Sequence, residues 1–275
     1  MGKMDGILLC TDLDGTLLGR DGRVSPENLC AIEYFKKEGG FFTFITGRVP
    51  VIAREFYEAA HPNLPVGALN GASLYDYAAE TTLWSCPLPP EALVMLGDAA
   101  ERFPEVAFQM VAFERVHICR ENAWMAGYRK SKGVTTPTED YRTVTDPLGK
   151  IMFVEMEEDR MAALIDYLTH HPLADRVRLV RSERALFEVL PRGISKATAL
   201  ENLCRMFSLD PQKTVAVGDY DNDIEMLGAA RLGIAVANAS PAARAAADLV
   251  TVANTEHAIA RIIEALDAGE YSTLI

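Results

Sequence analysis

The sequence has few of the residues that build disulfide frameworks or zinc sites. It contains five cysteines, which are scattered, odd in number and never spaced as Cys-x-x-Cys, so neither kind of site is expected. Its five histidines show no metal-ligand spacing. No apolar run approaches the roughly 20 residues that cross a bilayer, and the first residues do not resemble a signal peptide. We therefore expect a cytoplasmic protein without a membrane partner.

Basic residues are also fewer than acidic ones. Lys and Arg number 27 against 39 Asp and Glu, which gives a net charge of −12 and argues against a nucleic-acid partner, because phosphate backbones require a basic surface. A small anionic substrate is compatible with this charge if a metal ion and a few converging cations offset the repulsion. Hydrophobic residues make up 49% and charged residues 24%, as in a packed globular protein, here expected as a monomer or homodimer.

Short apolar runs alternate with helical segments near both ends of the chain. Such runs are typical of strands buried on both faces, and strand–helix–strand order implies right-handed crossovers in a parallel sheet. We therefore predict an α/β fold with a Rossmann-like parallel-sheet core. The predicted strands are residues 7–13, 41–45, 66–69, 214–217 and 232–236.

The middle of the chain has a different pattern. Paired strand signals, at 106–113 with 116–119 and at 177–180 with 185–190, are mixed with amphipathic helices. This arrangement predicts an inserted α+β domain at 81–190, between core segments 1–80 and 191–275.

Two aspartates mark the end of the first predicted strand. Asp12 and Asp14 are two residues apart, so in an extended backbone both carboxylates project to the same side. Two adjacent carboxylates repel unless a cation lies between them or one is protonated, as in a metal site or an acid/base pair. Gly15 follows and permits a sharp turn with backbone N–H groups facing an anion.

Further polar clusters follow the other predicted strands or begin a helix. Parallel α/β sheets bind ligands at the carboxyl ends of their strands, so these clusters are expected to converge. Lys196 begins a helix, where the helix dipole disfavours a cation, which suggests that another demand placed it there. Dense Asp and Asn oxygens suit Mg²⁺. The clusters are Thr46-Gly47-Arg48, Asn70-Gly71, Lys196 and Gly218-Asp219-Tyr220-Asp221-Asn222-Asp223.

Taken in order, these motifs resemble those of the haloacid dehalogenase superfamily. The resemblance rests on Asp12-Leu13-Asp14-Gly15-Thr16-Leu17-Leu18, Thr46-Gly47-Arg48, Lys196 and Gly218-Asp219-x-x-Asn222-Asp223. The long insert, Asn70-Gly71-Ala72 and the segment from Glu188 to Lys196 resemble the Cof-type phosphatases with the larger α/β (type IIB) cap. Two positions depart from the usual family pattern: Ala197 after the lysine, and Ala237 before Asn238, both where glycine is common.

The resemblance implies a role for each matching residue. Asp12 would attack phosphorus to form an aspartyl-phosphate, Asp14 would act as general acid and then base, and Thr46 and Lys196 would stabilise the phosphoryl group. The implied Mg²⁺ ligands are Asp12, the main-chain carbonyl of Asp14, Asp219 and Asp223. The implied substrate-binding residues are Gly15, Gly47, Arg48, Asn70 and Asn222.

The implied function is a Mg²⁺-dependent phosphatase for a small phosphorylated metabolite, such as a sugar phosphate or a related phosphomonoester. A phosphomutase or phosphotransferase on the same scaffold remains an alternative, because a hydroxyl acceptor could replace water. A non-catalytic phospholigand sensor is a third hypothesis, disfavoured because Asp14 is needed for turnover and not for binding.

Overall fold

The structure is a computed structural model that describes residues 2–131 and 137–271. The chain divides into two compact units: a core unit of Met1–Trp84 with Ser195–Ile275, and an inserted unit of Ser85–Ile194. In the described ranges no helix combines the length and apolar character that crossing a membrane requires.

The strands and helices are named here in chain order. The strands are β1 (Leu8–Thr11), β2 (Phe41–Phe44), β3 (Val66–Ala68), β4 (Ser73–Asp76), β5 (Thr81–Ser85), β6 (Ala107–Ala112), β7 (Val116–Arg120), β8 (Leu148–Val154), β9 (Val177–Glu183), β10 (Leu186–Pro191), β11 (Thr214–Gly218), β12 (Leu232–Ala235) and β13 (Leu249–Val250). The α-helices are α1 (Pro26–Lys37), α2 (Pro50–Ala60), α3 (Glu91–Arg102), α4 (Ala123–Ser131), α5 (Glu158–Thr169), α6 (Lys196–Phe207), α7 (Ile224–Ala229), α8 (Pro241–Ala246) and α9 (Ala258–Asp267).

A parallel five-stranded sheet organises the core unit. Its strand order is β13-β12-β11-β1-β2, and every neighbouring pair is parallel. The interior strand β1 is completely buried and pairs Leu8 with Thr214 on one side and with Phe41 on the other. All five strands therefore end at one edge, and the prediction of an α/β protein with a parallel-sheet core is confirmed.

The third predicted strand does not extend that sheet as expected. β3 pairs antiparallel with β4 in a separate sheet of order β3-β4-β5, and a single parallel bridge joins Ile45 to Gly67. β3 is only three residues long, and all three of its residues pair with β4. The glycine is required there, because a Cβ at position 67 would lie 2.8 Å from the Ile45 side chain.

The inserted unit is built on an antiparallel sheet of order β7-β6-β8-β10-β9. α3 and α5 supply the apolar side chains that pack on one face, among them Met95, Leu96 and Leu164 against Phe108 and Phe153. The β9–β10 hairpin predicted from the sequence is present. The unit therefore has its own sheet and its own hydrophobic core.

Candidate active site

The candidate site begins where β1 and β11 end side by side. The Asp12 backbone N–H donates to the Val217 carbonyl at 2.9 Å, so the ladder between the two strands continues to Asp12. Asp219 follows the last residue of β11. Because neighbouring parallel strands end at the same edge, the two aspartates are brought together from sequence positions more than 200 residues apart.

Three carboxylates form an acidic group at this edge. Asp12, Asp219 and Asp223 each offer an oxygen, and these oxygens lie within 4.8 Å of one another. Asp12 and Asp223 are buried, and Asp219 is partly buried. Carboxylates this close in a low-dielectric setting need positive charge between them.

Lys196 provides one positive charge. Its Nζ donates to Asp12 Oδ1 at 2.5 Å and to Asp223 Oδ1 at 2.6 Å, and the side chain is 1% exposed. Two ionic partners therefore offset the unfavourable effect of the helix dipole on a cation at the start of α6. With all four groups ionised, three carboxylates face one ammonium group and leave two negative charges, a deficit that a divalent cation would balance.

Burial strongly affects ionisation in this group. It raises the pKa of Asp12 well above its usual value, a rise that Lys196 opposes and the neighbouring carboxylates reinforce. Burial and then Asp223 raise the pKa of Asp219 to about 7. Burial lowers the pKa of Lys196, but Asp12 and Asp223 outweigh it and the pKa is raised. Burial therefore favours the protonated forms of Asp12 and Asp219, whereas a bound metal would favour their ionised forms.

Asp223 also fixes the loop after β11. Its Oδ2 accepts the backbone N–H groups of Asp219 at 2.9 Å and Tyr220 at 3.1 Å, while Oδ1 accepts from Lys196. Both oxygens are thus already bonded within the protein. This indicates that Asp12 and Asp219 are better placed to coordinate a cation directly, with Asp223 orienting Asp219 and Lys196.

The turn after β1 is shaped around Asp219. Gly15 has φ of +83°, and a Cβ there would collide with the Asp219 carboxylate. Thr16 Oγ1 donates to Asp219 Oδ1 at 2.9 Å, and Asn238 Nδ2 donates to the Gly15 carbonyl at 2.8 Å. Glycine is therefore required at position 15 by both conformation and space.

The loop after β2 carries Thr46, Gly47 and Arg48. Thr46 is buried, and its Oγ1 accepts the Arg48 backbone N–H at 3.2 Å. Arg48 Nε and Nη2 donate to the two oxygens of Asp14 at 2.8 and 2.5 Å. The Asp14 side chain therefore pairs with Arg48 and does not belong to the acidic group, so only its main-chain carbonyl is left as the expected metal ligand.

A left-handed elbow follows β3. Leu69, Asn70 and Gly71 have φ of 54°, 55° and 90°, a conformation that costs a non-glycine residue about 1–2 kcal/mol. Such strain persists only where surrounding contacts enforce it, and it concentrates at functional sites.

Hydrogen bonds tie this elbow to two of the predicted site loops. The Leu69 and Asn70 N–H groups donate to the carbonyls of Arg48 and Thr46 at 3.1 and 2.9 Å. Asn222 Nδ2 donates to Asn70 Oδ1 at 3.0 Å. A Cβ on Gly47 would lie 3.1 Å from the same Asn70 oxygen, so the loops meet closely at this point.

Sequence reasoning missed two polar residues that support the site. Thr16 belongs to the first motif but was not assigned a role, and its bond to Asp219 was visible only in the fold. Asn238 follows the atypical Ala237, yet it links the Gly15 carbonyl to the Asn254 N–H, which donates to Asn238 Oδ1 at 2.9 Å. A polar residue close after β12, at the same sheet edge, was the available signal.

Comparisons with known proteins agree with the arrangement of the motifs. Residues 9–263 match the family model described as haloacid dehalogenase-like hydrolase. The solved structure of the HAD subclass IIB sugar phosphatase BT4131 has a TM-score of 0.81 at 21% identity, covering 98% of this chain and all of that one. This likeness shows a shared fold.

Two curated relatives cover nearly the whole chain. The 5-amino-6-(5-phospho-D-ribitylamino)uracil phosphatase YitU of Bacillus subtilis (strain 168) is 26% identical over 262 residues, 94% of this chain and 96% of the relative. The pyridoxal phosphate phosphatase YbhA of Escherichia coli (strain K12) is 26% identical over 263 residues, 93% and 97% respectively.

Proposed function

The chain belongs to the haloacid dehalogenase-like hydrolase family, and we propose that it is a phosphatase that transfers the phosphoryl group of a small metabolite to Asp12 and then to water. The observation that carries the proposal is the contact between Asp12 and Lys196 inside a group of three carboxylates. The naming of both curated relatives as phosphatases supports the same reaction class.

In the first step, an Asp12 carboxylate oxygen forms a bond to phosphorus and the bond from phosphorus to the ester oxygen breaks. The leaving oxygen takes a proton from the Asp14 carboxyl group, which becomes a carboxylate. Lys196, already within 2.5 Å of Asp12, stabilises the negative charge that passes between Asp12 and the phosphoryl oxygens.

In the second step, water attacks phosphorus and Asp14 takes its proton. The bond between phosphorus and Asp12 breaks, so inorganic phosphate leaves and Asp12 returns to a carboxylate. Proton transfer of this kind contributes typically 10²–10⁴-fold to a rate, so Asp14→Asn is expected to slow turnover by roughly 10²-fold or more.

The residues fit a divalent cation. Asp12 and Asp219 would hold it, with the main-chain carbonyl of Asp14 as the third protein ligand, and Asp223 would orient Asp219 and Lys196. Hard carboxylate and carbonyl oxygens favour Mg²⁺ over softer metals. When bound, the ion would neutralise phosphoryl charge and keep Asp12 ionised.

The proposed substrates are small phosphomonoesters, including sugar phosphates and phosphorylated cofactors or their precursors. Thr46, Gly47, Asn70 and Asn222 are proposed to bind the phosphoryl oxygens, since they surround the same sheet edge.

A phosphate-release screen tests the proposal. Purified protein is incubated with sugar, nucleotide, polyol and cofactor phosphates, with MgCl₂ or with EDTA, and inorganic phosphate is measured. We expect magnesium-dependent release from a subset of these esters and none from Asp12→Asn. The absence of release from every ester by folded, metal-loaded protein would contradict the proposal.

A further inference from the structure

Arg48 donates two parallel hydrogen bonds to the carboxylate of Asp14. Nε donates to Oδ2 at 2.8 Å and Nη2 donates to Oδ1 at 2.5 Å. In the described part of the chain, both hydrogen bonds to this carboxylate come from Arg48. A two-pronged contact fixes the plane of a carboxylate as well as its position.

Arg48 is itself held in place at three points. Its backbone N–H donates to Thr46 Oγ1 at 3.2 Å, and its carbonyl accepts the Leu69 N–H at 3.1 Å. Its guanidinium carbon lies 4.7 Å from the centre of the Phe56 ring, within the range of a cation–π contact. The backbone of Arg48 is therefore fixed by two hydrogen bonds, and its guanidinium is oriented by the Phe56 ring.

The exposure of the pair argues against a mainly stabilising role. The Asp14 side chain is 46% exposed and that of Arg48 is 29% exposed, and ion pairs in contact with solvent contribute little to folding. Orientation of a proton-transferring group, in contrast, affects rate strongly because small misplacements are costly. The contact between Arg48 and Asp14 is therefore better explained by a role in the reaction than by a contribution to stability.

We propose that Arg48 is a positioning residue that aims Asp14 at the ester oxygen of the substrate, an inference that rests on the proposed phosphatase reaction. When Asp14 is protonated, one of its oxygens carries the proton in place of a hydrogen bond from Arg48, and it gives that proton to the ester oxygen as the phosphorus–oxygen bond breaks. The other Asp14 oxygen keeps its hydrogen bond from Arg48, which exchanges no proton.

Leaving-group dependence tests this role. Phenyl phosphate requires protonation of its leaving oxygen more than p-nitrophenyl phosphate does, and kcat/KM reports the steps up to departure of that oxygen. In Arg48→Ala we expect kcat/KM to fall roughly tenfold further for phenyl phosphate than for p-nitrophenyl phosphate. Arg48→Lys, which keeps the charge but not the two-pronged contact, should give an intermediate result.

Arg54 provides a matched control. It also pairs with both oxygens of a carboxylate, that of Glu80, at 2.9 and 2.7 Å. It also lies over an aromatic ring, 5.2 Å from the centre of Tyr77. Arg54→Ala should leave the ratio of the two kcat/KM values unchanged.

A double variant separates positioning from direct substrate binding. If Arg48 acts through Asp14, then adding Arg48→Ala to Asp14→Asn should cost less than twofold in kcat/KM, because interacting residues are non-additive. Equal slowing of both esters, or fully additive losses, would overturn the inference and assign Arg48 to phosphate binding or to folding. Wild-type protein that releases phosphate from neither aryl ester nor any metabolite ester of the screen overturns the proposed function and this inference together, whereas an active wild type with an unchanged ratio in Arg48→Ala overturns the inference alone.

Discussion

Lys196 and its two carboxylate partners carry most of the charge balance at the proposed site. Asp12 and Lys196 are 184 residues apart in the chain, and Lys196 and Asp223 are almost completely buried. A buried pair is costly to break, because removing one partner leaves the other charged and unpaired.

Lys196→Met should therefore reduce both stability and activity. We expect a loss of about 3 kcal/mol or more in the free energy of unfolding at neutral pH, together with loss of phosphate release. Urea unfolding measures the first effect. Lys213→Met is the control, since Lys213 is exposed and donates to the Asp5 carbonyl at 3.2 Å; an equal loss in both variants would show that the buried pairs contribute nothing specific.

At the scale of single residues, the sequence indicates which side chains reach the site but not how they pair. Asp12, Asp219 and Lys196 were predictable because they follow buried strands or begin a helix against the dipole. The bonds of Arg48 to Asp14 and of Thr16 to Asp219 were not, because each depends on the path of two loops. The side chain of Asp14 is proposed as an acid and base and its main-chain carbonyl as a metal ligand, and the spacing of Asp12 and Asp14 alone does not distinguish these roles.

At the scale of elements, the elbow of Leu69, Asn70 and Gly71 connects the loop after β2 to the start of α6. A Cβ at Gly71 would collide with the carbonyl of Ser195, the residue before Lys196. The three consecutive positive φ angles therefore allow two backbone segments of the site to approach each other directly.

Gly71→Ala should disturb this junction. We expect a loss of about 2 kcal/mol or more in stability, from the left-handed conformation and the collision, and a fall of roughly tenfold in kcat/KM. Gly269→Ala is the matched control, because Gly269 also has positive φ, +74°, with no atom within 4 Å of the added Cβ. Thermal unfolding and ester hydrolysis measure both variants, and indistinguishable behaviour would argue against a structural junction at Gly71.

Elements were predictable where apolar periodicity was strong and uncertain where pairing is non-local. The runs that became β1, β2, β11 and β12 were identified, because strands buried on both faces are continuously apolar. β3 was predicted in the parallel sheet but pairs mainly with β4 and keeps only the Ile45–Gly67 bridge to the parallel sheet, since three residues carry no signal for their partner. In α3, Leu93 is 42% exposed, whereas Ala92, Met95 and Leu96 are buried in the core.

At the scale of the whole molecule, order of elements was sufficient to predict the parallel-sheet core. The inserted unit appeared in the sequence as a change from parallel to paired-strand patterning. Its exact limits are set by backbone contacts, and the structure divides the units near residues 84 and 194 where the pattern suggested 80 and 190.

The ionisation of Asp219 makes the stability of the folded protein depend on pH and on bound metal. In the metal-free protein the raised pKa of Asp219, about 7, means that the folded state binds more protons than the unfolded state between about pH 4 and pH 7. This contribution is present at low pH and is lost as pH rises through the folded pKa. Bound Mg²⁺ would favour the ionised carboxylate, so in its presence stability would rise with pH.

Comparison of wild type with Asp219→Asn isolates this effect from other titrating groups. Without metal, we expect the variant to gain in Tm relative to wild type as pH rises from about 5 to about 8. With saturating Mg²⁺ near pH 8, wild type should be the more stable protein. A difference in Tm between wild type and Asp219→Asn that changes with neither pH nor Mg²⁺ would contradict the assignment of Asp219 to a metal site.

The most direct test of the central claim is to trap the phosphorylated enzyme. Borohydride reduces an aspartyl-phosphate to homoserine, which peptide mass spectrometry locates. In protein quenched during turnover with Mg²⁺, we expect homoserine at position 12 and at no other aspartate, and none in Asp12→Asn. Phosphate release without conversion of Asp12, or with conversion of a different aspartate, would contradict it.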